Sequence, residues 1–94
     1  MEAVMQEIWK WPIDSLTNKI EMPGGSKVLA VQMQGDHFML WAEVYPGELK
    51  VTRTFKLIPT GGRFRRTREW TYLATVQSNN GLVFHVYEDG SAAL

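Results

Sequence analysis

Apolar and polar residues alternate along most of the chain with a period of two, the spacing of a strand that buries one face. The clearest run is HFMLWAEVY, residues 37–45. It sets Phe38, Leu40, Ala42 and Val44 on one face, with His37, Met39, Trp41, Glu43 and Tyr45 on the other. LKVTRTFKLI, 49–58, places Leu49, Val51, Phe55 and Leu57 together, and Arg53 interrupts that apolar face. EWTYLATVQ, 69–77, sets Trp70, Tyr72, Ala74 and Val76 against Thr71, Leu73, Thr75 and Gln77. GLVFHVYE, 81–88, sets Leu82, Phe84 and Val86 against Val83, His85 and Tyr87. With KVLAVQMQ (27–34) and QEIWKWPI (6–13), the pattern predicts six strands.

Turn-forming residues fall between these runs: Pro23-Gly24-Gly25, Gly35-Asp36, Pro46-Gly47, Gly61-Gly62 and Asn79-Asn80-Gly81. Glycine and asparagine tolerate the positive φ of tight turns, and proline fixes φ for them. Pro12 has no N–H to donate, so the first strand is expected at a sheet edge or to stop there. An edge strand over 6–13 also invites pairing of two copies into a homodimer. The segment IDSLTNKIEM, 13–22, suits a single helical turn but lacks the apolar stripe of a full helix. Six short strands with closely spaced turns predict an all-β domain, either an antiparallel sandwich or a small barrel. One domain is expected over 1–94, with its core in 6–88 and a flexible tail over 89–94.

Composition narrows the function more than the fold. The chain has no cysteine, which excludes disulfides and thiolate metal sites. It has no apolar run near the roughly 18 residues of a membrane span, and its first residues lack the features of a secretory signal. Ten basic residues balance ten acidic ones, whereas a general nucleic-acid binder carries a basic excess. The charge is local instead. Arg63, Arg65, Arg66 and Arg68 stand together behind Gly61 and Gly62 in TGGRFRRTRE, and only Arg53 lies elsewhere.

Catalytic chemistry finds little here. There are two histidines, no Gly-x-Ser-x-Gly turn, and no HxH, HExxH or EF-hand pattern. Asp36 and His37 are adjacent, so in a strand they point to opposite faces. No enzyme activity, metal or cofactor is therefore expected. The Gly61-Gly62 pair lacks the Lys-Ser/Thr of a phosphate-binding loop and lies between strands. A looser anion nest of glycine amides and guanidinium forks stays open. So does a polar hairpin that serves only solubility. Exposed Trp41, Tyr45, Trp9 and Trp11 strengthen the binding reading, because Trp, Tyr and Arg dominate interface energetics. Burial of the three tryptophans under a second layer is the alternative.

The motifs WKWP, IEMPGGSKVLAVQMQ, LWAEV, PTGG and YLATVQSNNGLVFHVYE span about residues 8–88. In them the chain resembles a family of small, functionally uncharacterised proteins of tailed bacteriophages and prophages. The resemblance implies an all-β fold, a phage or prophage origin and residence in the host cytoplasm. The matching positions that suit a site are Trp41, Thr60, Gly61 and His85; the family pattern has a shorter, less basic glycine turn where this chain has its arginines. Together these features lead us to expect an accessory protein that binds and inhibits a host or anti-phage defence protein, or a nucleic-acid-binding complex. Its surface would be the arginine hairpin with Trp41 nearby. A sponge for a small anionic nucleotide and a direct nucleic-acid binder are the alternatives.

Overall fold

The computed structural model describes residues 4–93. Seven strands follow one another: β1 (Glu7–Pro12), β2 (Thr17–Pro23), β3 (Lys27–Gln34), β4 (His37–Val44), β5 (Lys50–Pro59), β6 (Trp70–Gln77) and β7 (Val83–Asp89). They form two antiparallel sheets, β1-β4-β3 and β2-β5-β7-β6, packed as a sandwich. The choice between sandwich and barrel is thus resolved. β1 is an edge strand that ends at Pro12, where the missing N–H costs no ladder bond.

Strand β2 occupies the segment that its sequence left open. Its inner positions are Asn18, Ile20 and Met22, and the last two are buried. The polar Asn18 hides the alternation, yet it anchors the strand. Its amide donates to the carbonyls of Ser15 and Phe55, and its oxygen accepts from the Ser15 N–H. At the other end of the chain, β7 extends to Asp89 and a 3-10 helix, Gly90–Ala93, takes the place of the expected tail. The Gly90 N–H donates to the Glu69 carbonyl at 2.9 Å, so close that a Cβ at this position would clash. Leu94 lies outside the described residues.

The core draws on the alternating faces of both sheets: Leu40, Ala42 and Val44 from one, Phe55, Leu57 and Val86 from the other. Trp9 and Trp11 face inward, edge to face at 6.1 Å, and pack against this core. Arg53 lies on the same inner face as Phe55, at the rim of the sandwich. Its Nε and Nη2 donate to the two Glu88 carboxylate oxygens at 2.6 and 2.7 Å, and Nη1 donates to the Ser26 carbonyl. The interruption in the apolar pattern is therefore a forked ion pair that ties β5 to β7 and to the β2–β3 turn.

A second ion pair sits at the start of β4. Asp14 accepts from the Phe38 N–H at 2.8 Å and from His37 Nδ1 at 2.7 Å. That hydrogen bond and the Asp14 charge hold the His37 pKa above its ordinary 6.5. Because the folded value is raised, the stabilisation is complete below 6.5 and fades as pH rises through the folded value. We expect the His37 ring to titrate above 6.5 in an NMR pH series, and Asp14→Asn to bring it down. An unchanged value in the variant would assign the shift elsewhere.

Candidate functional site

In the β2-β5-β7-β6 sheet, β7 lies between β5 and β6 and runs antiparallel to both. β5 and β6 are therefore parallel, and the chain between them has to travel back along β7. Pro59 ends β5 opposite Phe84, whereas Trp70 begins β6 opposite Asp89. The arginine segment spans that return, a distance of about 17 Å at the rise of a strand. It is a crossover strap and not the hairpin expected from its sequence.

The glycine pair starts the strap. Gly61 has φ +86°, and the Gly62 N–H donates to the Pro59 carbonyl at 2.9 Å. A Cβ on Gly62 would press on the Pro59 oxygen and ring. Both glycines are thus explained by the turn, and the Gly62 amide is engaged within it, which removes it from the expected anion nest.

What lies beneath the strap depends on an irregularity in β6. The pairing of β6 with β7 shifts register between Tyr72 and Ala74, so Leu73 is the extra residue of a bulge. A bulge turns the side chains on one side of it to the opposite face. Val76 and Ala74 pair with the inward-facing Phe84 and Val86, whereas Tyr72 pairs with the outward-facing Tyr87. The single face expected for Trp70, Tyr72, Ala74 and Val76 is thereby split. Trp70 and Tyr72 come to the outer surface.

On that surface four aromatic rings meet. Phe64 of the strap stacks on Trp70 at 5.8 Å and 15°, and lies 5.6 Å from Tyr87. Tyr87 also touches Trp70 and Tyr72, each at 5.6 Å. Two cations cover the rings: Arg66 is 5.0 Å from the Tyr87 centroid and Lys56 is 5.9 Å from that of Trp70. Arg66 Nη2 also donates to the Trp70 carbonyl at 3.3 Å. Phe64 and Arg66 thus hold the strap to the sheet. Arg68 approaches Glu69 only at 3.9 Å with its side chain 96% exposed, a contact of little energy. Among the described residues no ion pair or hydrogen bond engages the exposed side chains of Arg63 and Arg65.

His85 lies on the same outer face, beside the start of the strap. Its Nε2 meets the Thr60 hydroxyl at 2.8 Å and its Nδ1 meets that of Thr75 at 3.0 Å. Thr75 in turn pairs with the Tyr72 hydroxyl at 2.6 Å. This chain of hydroxyls joins the strap, β7 and β6. No carboxylate among the described residues hydrogen-bonds to His85, so it lacks the orienting acid of a nucleophile–histidine–acid relay. Nor is there among them a group of three or more side chains suited to a metal ion.

Trp41 does not join this site. It is half-buried on the outer face of β1-β4-β3, between Lys10 and Ala30, across both layers of the sandwich from the strap. The structure therefore assembles Thr60, Gly61, Gly62, Arg63, Arg65, Arg66, Arg68 and His85 in one region and leaves Trp41 out. It adds Lys56, Phe64, Trp70, Tyr72 and Tyr87, which sequence reasoning had not chosen. The trace of the bulge was there: Leu73-Ala74 is a pair of neighbouring apolar residues in an otherwise alternating run.

The distribution of charge follows the faces. Lys19, Lys50 and Lys56 accompany the four strap arginines on the outer side of β2-β5-β7-β6, against Glu21, Glu69 and Asp89. The other sheet offers Lys10 and Lys27 outward, with Glu43 and the turn residues Asp14 and Asp36. Formal neutrality thus conceals a molecule with one basic face.

The family model for a domain of unknown function (DUF7352) matches residues 5–93, which include the strap, the sheet face beneath it and Trp41. No curated protein and no solved structure matches the chain.

Proposed function

This chain belongs to the DUF7352 domain family, and we propose that it is a non-enzymatic accessory protein that works by docking its basic face on an acidic partner protein. The observation that carries this reading is the strap. Phe64 and Arg66 anchor it on an aromatic sheet face, while Arg63 and Arg65 stay exposed without partners among the described residues. A guanidinium held on a fixed backbone loses less entropy on pairing with a carboxylate than one on a free loop, and its fork suits bidentate contact. Half-exposed Tyr72 adds an aromatic anchor beside the charges.

In our reading the partner is a host or anti-phage defence component, and the protein is a phage or prophage product acting in the host cytoplasm. The resemblance of its motifs to those of small phage proteins is what suggests that setting. A nucleotide-sequestering role is the weaker reading, because Phe64 already covers the face of Trp70 on which a base would stack.

The test is a pull-down from bacterial lysate with the wild type and with Arg63→Glu, Arg65→Glu and Arg66→Glu combined. Partner recovery should fall at least tenfold, about 1.4 kcal/mol or more, with an unchanged far-UV circular dichroism spectrum. Equal recovery by the folded triple variant would remove the strap from the interaction. A nucleotide co-purifying in place of a protein would favour the sequestering role.

A further inference from the structure

At the end of the sandwich where the β3–β4 and β6–β7 turns meet, a cavity of about 320 Å³ opens between the sheets. Its floor is the Phe38–Phe84 pair, edge to face at 5.1 Å, with Met33 and Leu82 beside it. That volume is at the lower end of small-molecule sites, which run from about 300 to 1,000 Å³ and combine apolar walls with a few polar groups.

The rim supplies those groups, and the one charged side chain among them is a carboxylate, Asp36. Asn79 Nδ2 donates to the Gly35 carbonyl at 2.7 Å and to Asp36 Oδ1 at 3.1 Å, which clasps the two turns together. Asn80 Oδ1 accepts from the Ser78 hydroxyl and the Leu82 N–H, which fixes the second turn. These bonds leave Asp36 Oδ2 and Asn79 Oδ1 as acceptors with no protein donor among the described residues. No basic side chain lines the cavity, and His37, next along the chain, is turned to Asp14 instead. An anion would therefore meet a carboxylate and no compensating donor of positive charge. An ammonium group would meet a carboxylate and an amide oxygen in a cavity that also presents two aromatic rings, a combination that favours organic cations.

We propose that this cavity binds a small organic ammonium ion bearing one aromatic ring, an arylalkylamine by chemical class. The ring packs against Phe38 and Phe84, and the ammonium donates to Asp36 and Asn79. The site is separate from the strap and does not depend on the function proposed for it.

The test is an NMR titration of the ¹⁵N-labelled protein with 2-phenylethylammonium, with 2-phenylethanol and 3-phenylpropionate as neutral and anionic matches. The amine should give saturable shifts at the amides of Asp36, Asn79 and Asn80. The alcohol should bind about tenfold more weakly, the loss of one charge-assisted hydrogen bond, and the carboxylate more weakly still. Asp36→Asn keeps an acceptor for Asn79, and so the clasp, and should weaken the amine about tenfold. Leu82→Arg, at a half-exposed position in the cavity wall, should fill the cavity and abolish amine binding without unfolding the protein. Equal binding of amine and alcohol, an unaffected Asp36→Asn variant, or no saturable shift with any probe would each overturn the proposal.

Discussion

Arg53→Ala will destabilise the domain by about 3 kcal/mol, the low end of the range for breaking a buried ion pair. The side chains of Arg53 and Glu88 are only 18% and 20% exposed, so removing one leaves the other charged and poorly hydrated. The variant also strips the Ser26 carbonyl of its donor and the Phe55 ring of its covering guanidinium, at 5.8 Å. For a domain of this size the loss corresponds to a fall in Tm of about 12–24 °C. Glu88→Ala should cost a similar amount, since it abandons the guanidinium. The double replacement Arg53→Ala with Glu88→Ala should cost less than the sum of the two, because neither charge is then left behind. Urea denaturation of the four proteins measures this. Additive losses would show that the pair is not coupled and that each side chain acts through its own packing.

The same residue shows how far the sequence reaches. Arg53 was conspicuous because it breaks an apolar face, and local alternation is enough to mark such a break. Its partner Glu88 lies in the last strand, and only the strand order brings β7 beside β5. Alternation specifies which face a residue takes while register is continuous. It says nothing of which strand lies next to which. Leu40, Ala42 and Val44 were legible for that reason, and so were Phe55 and Leu57.

The candidate site failed on both counts. Its arginines were visible as a cluster, but their role as a strap depends on β7 intervening between β5 and β6. Its platform depends on the Leu73 bulge, past which the alternation inverts. Trp41, by contrast, faces outward as its pattern predicts; what the pattern did not carry was that the strap lies on the other sheet. Strand β2 was obscured by Asn18, a polar residue at an inward position whose side chain bonds to the backbone. In each case a long-range pairing or a side-chain-to-backbone bond overrides the local period.

Deleting Leu73 should leave the outer face of β6 intact. Tyr72 already pairs with Tyr87 and Ala74 with Val86, so without the extra residue the two strands continue in one regular ladder. Trp70 and Tyr72 stay outward, and Ala74 and Val76 stay inward. What is lost is the half-buried Leu73 side chain and its packing against the core, at about 1–2 kcal/mol. Leu73→Ala, which keeps the bulge, should cost a similar amount. The Trp70 indole NMR signal, assigned with Trp70→Phe, reports on its stacking with Phe64 and should stay unmoved in both variants. A Trp70 signal that moves only in the deletion variant would mean that the bulge itself, and not the pairing of Tyr72 with Tyr87, sets the outward face of β6.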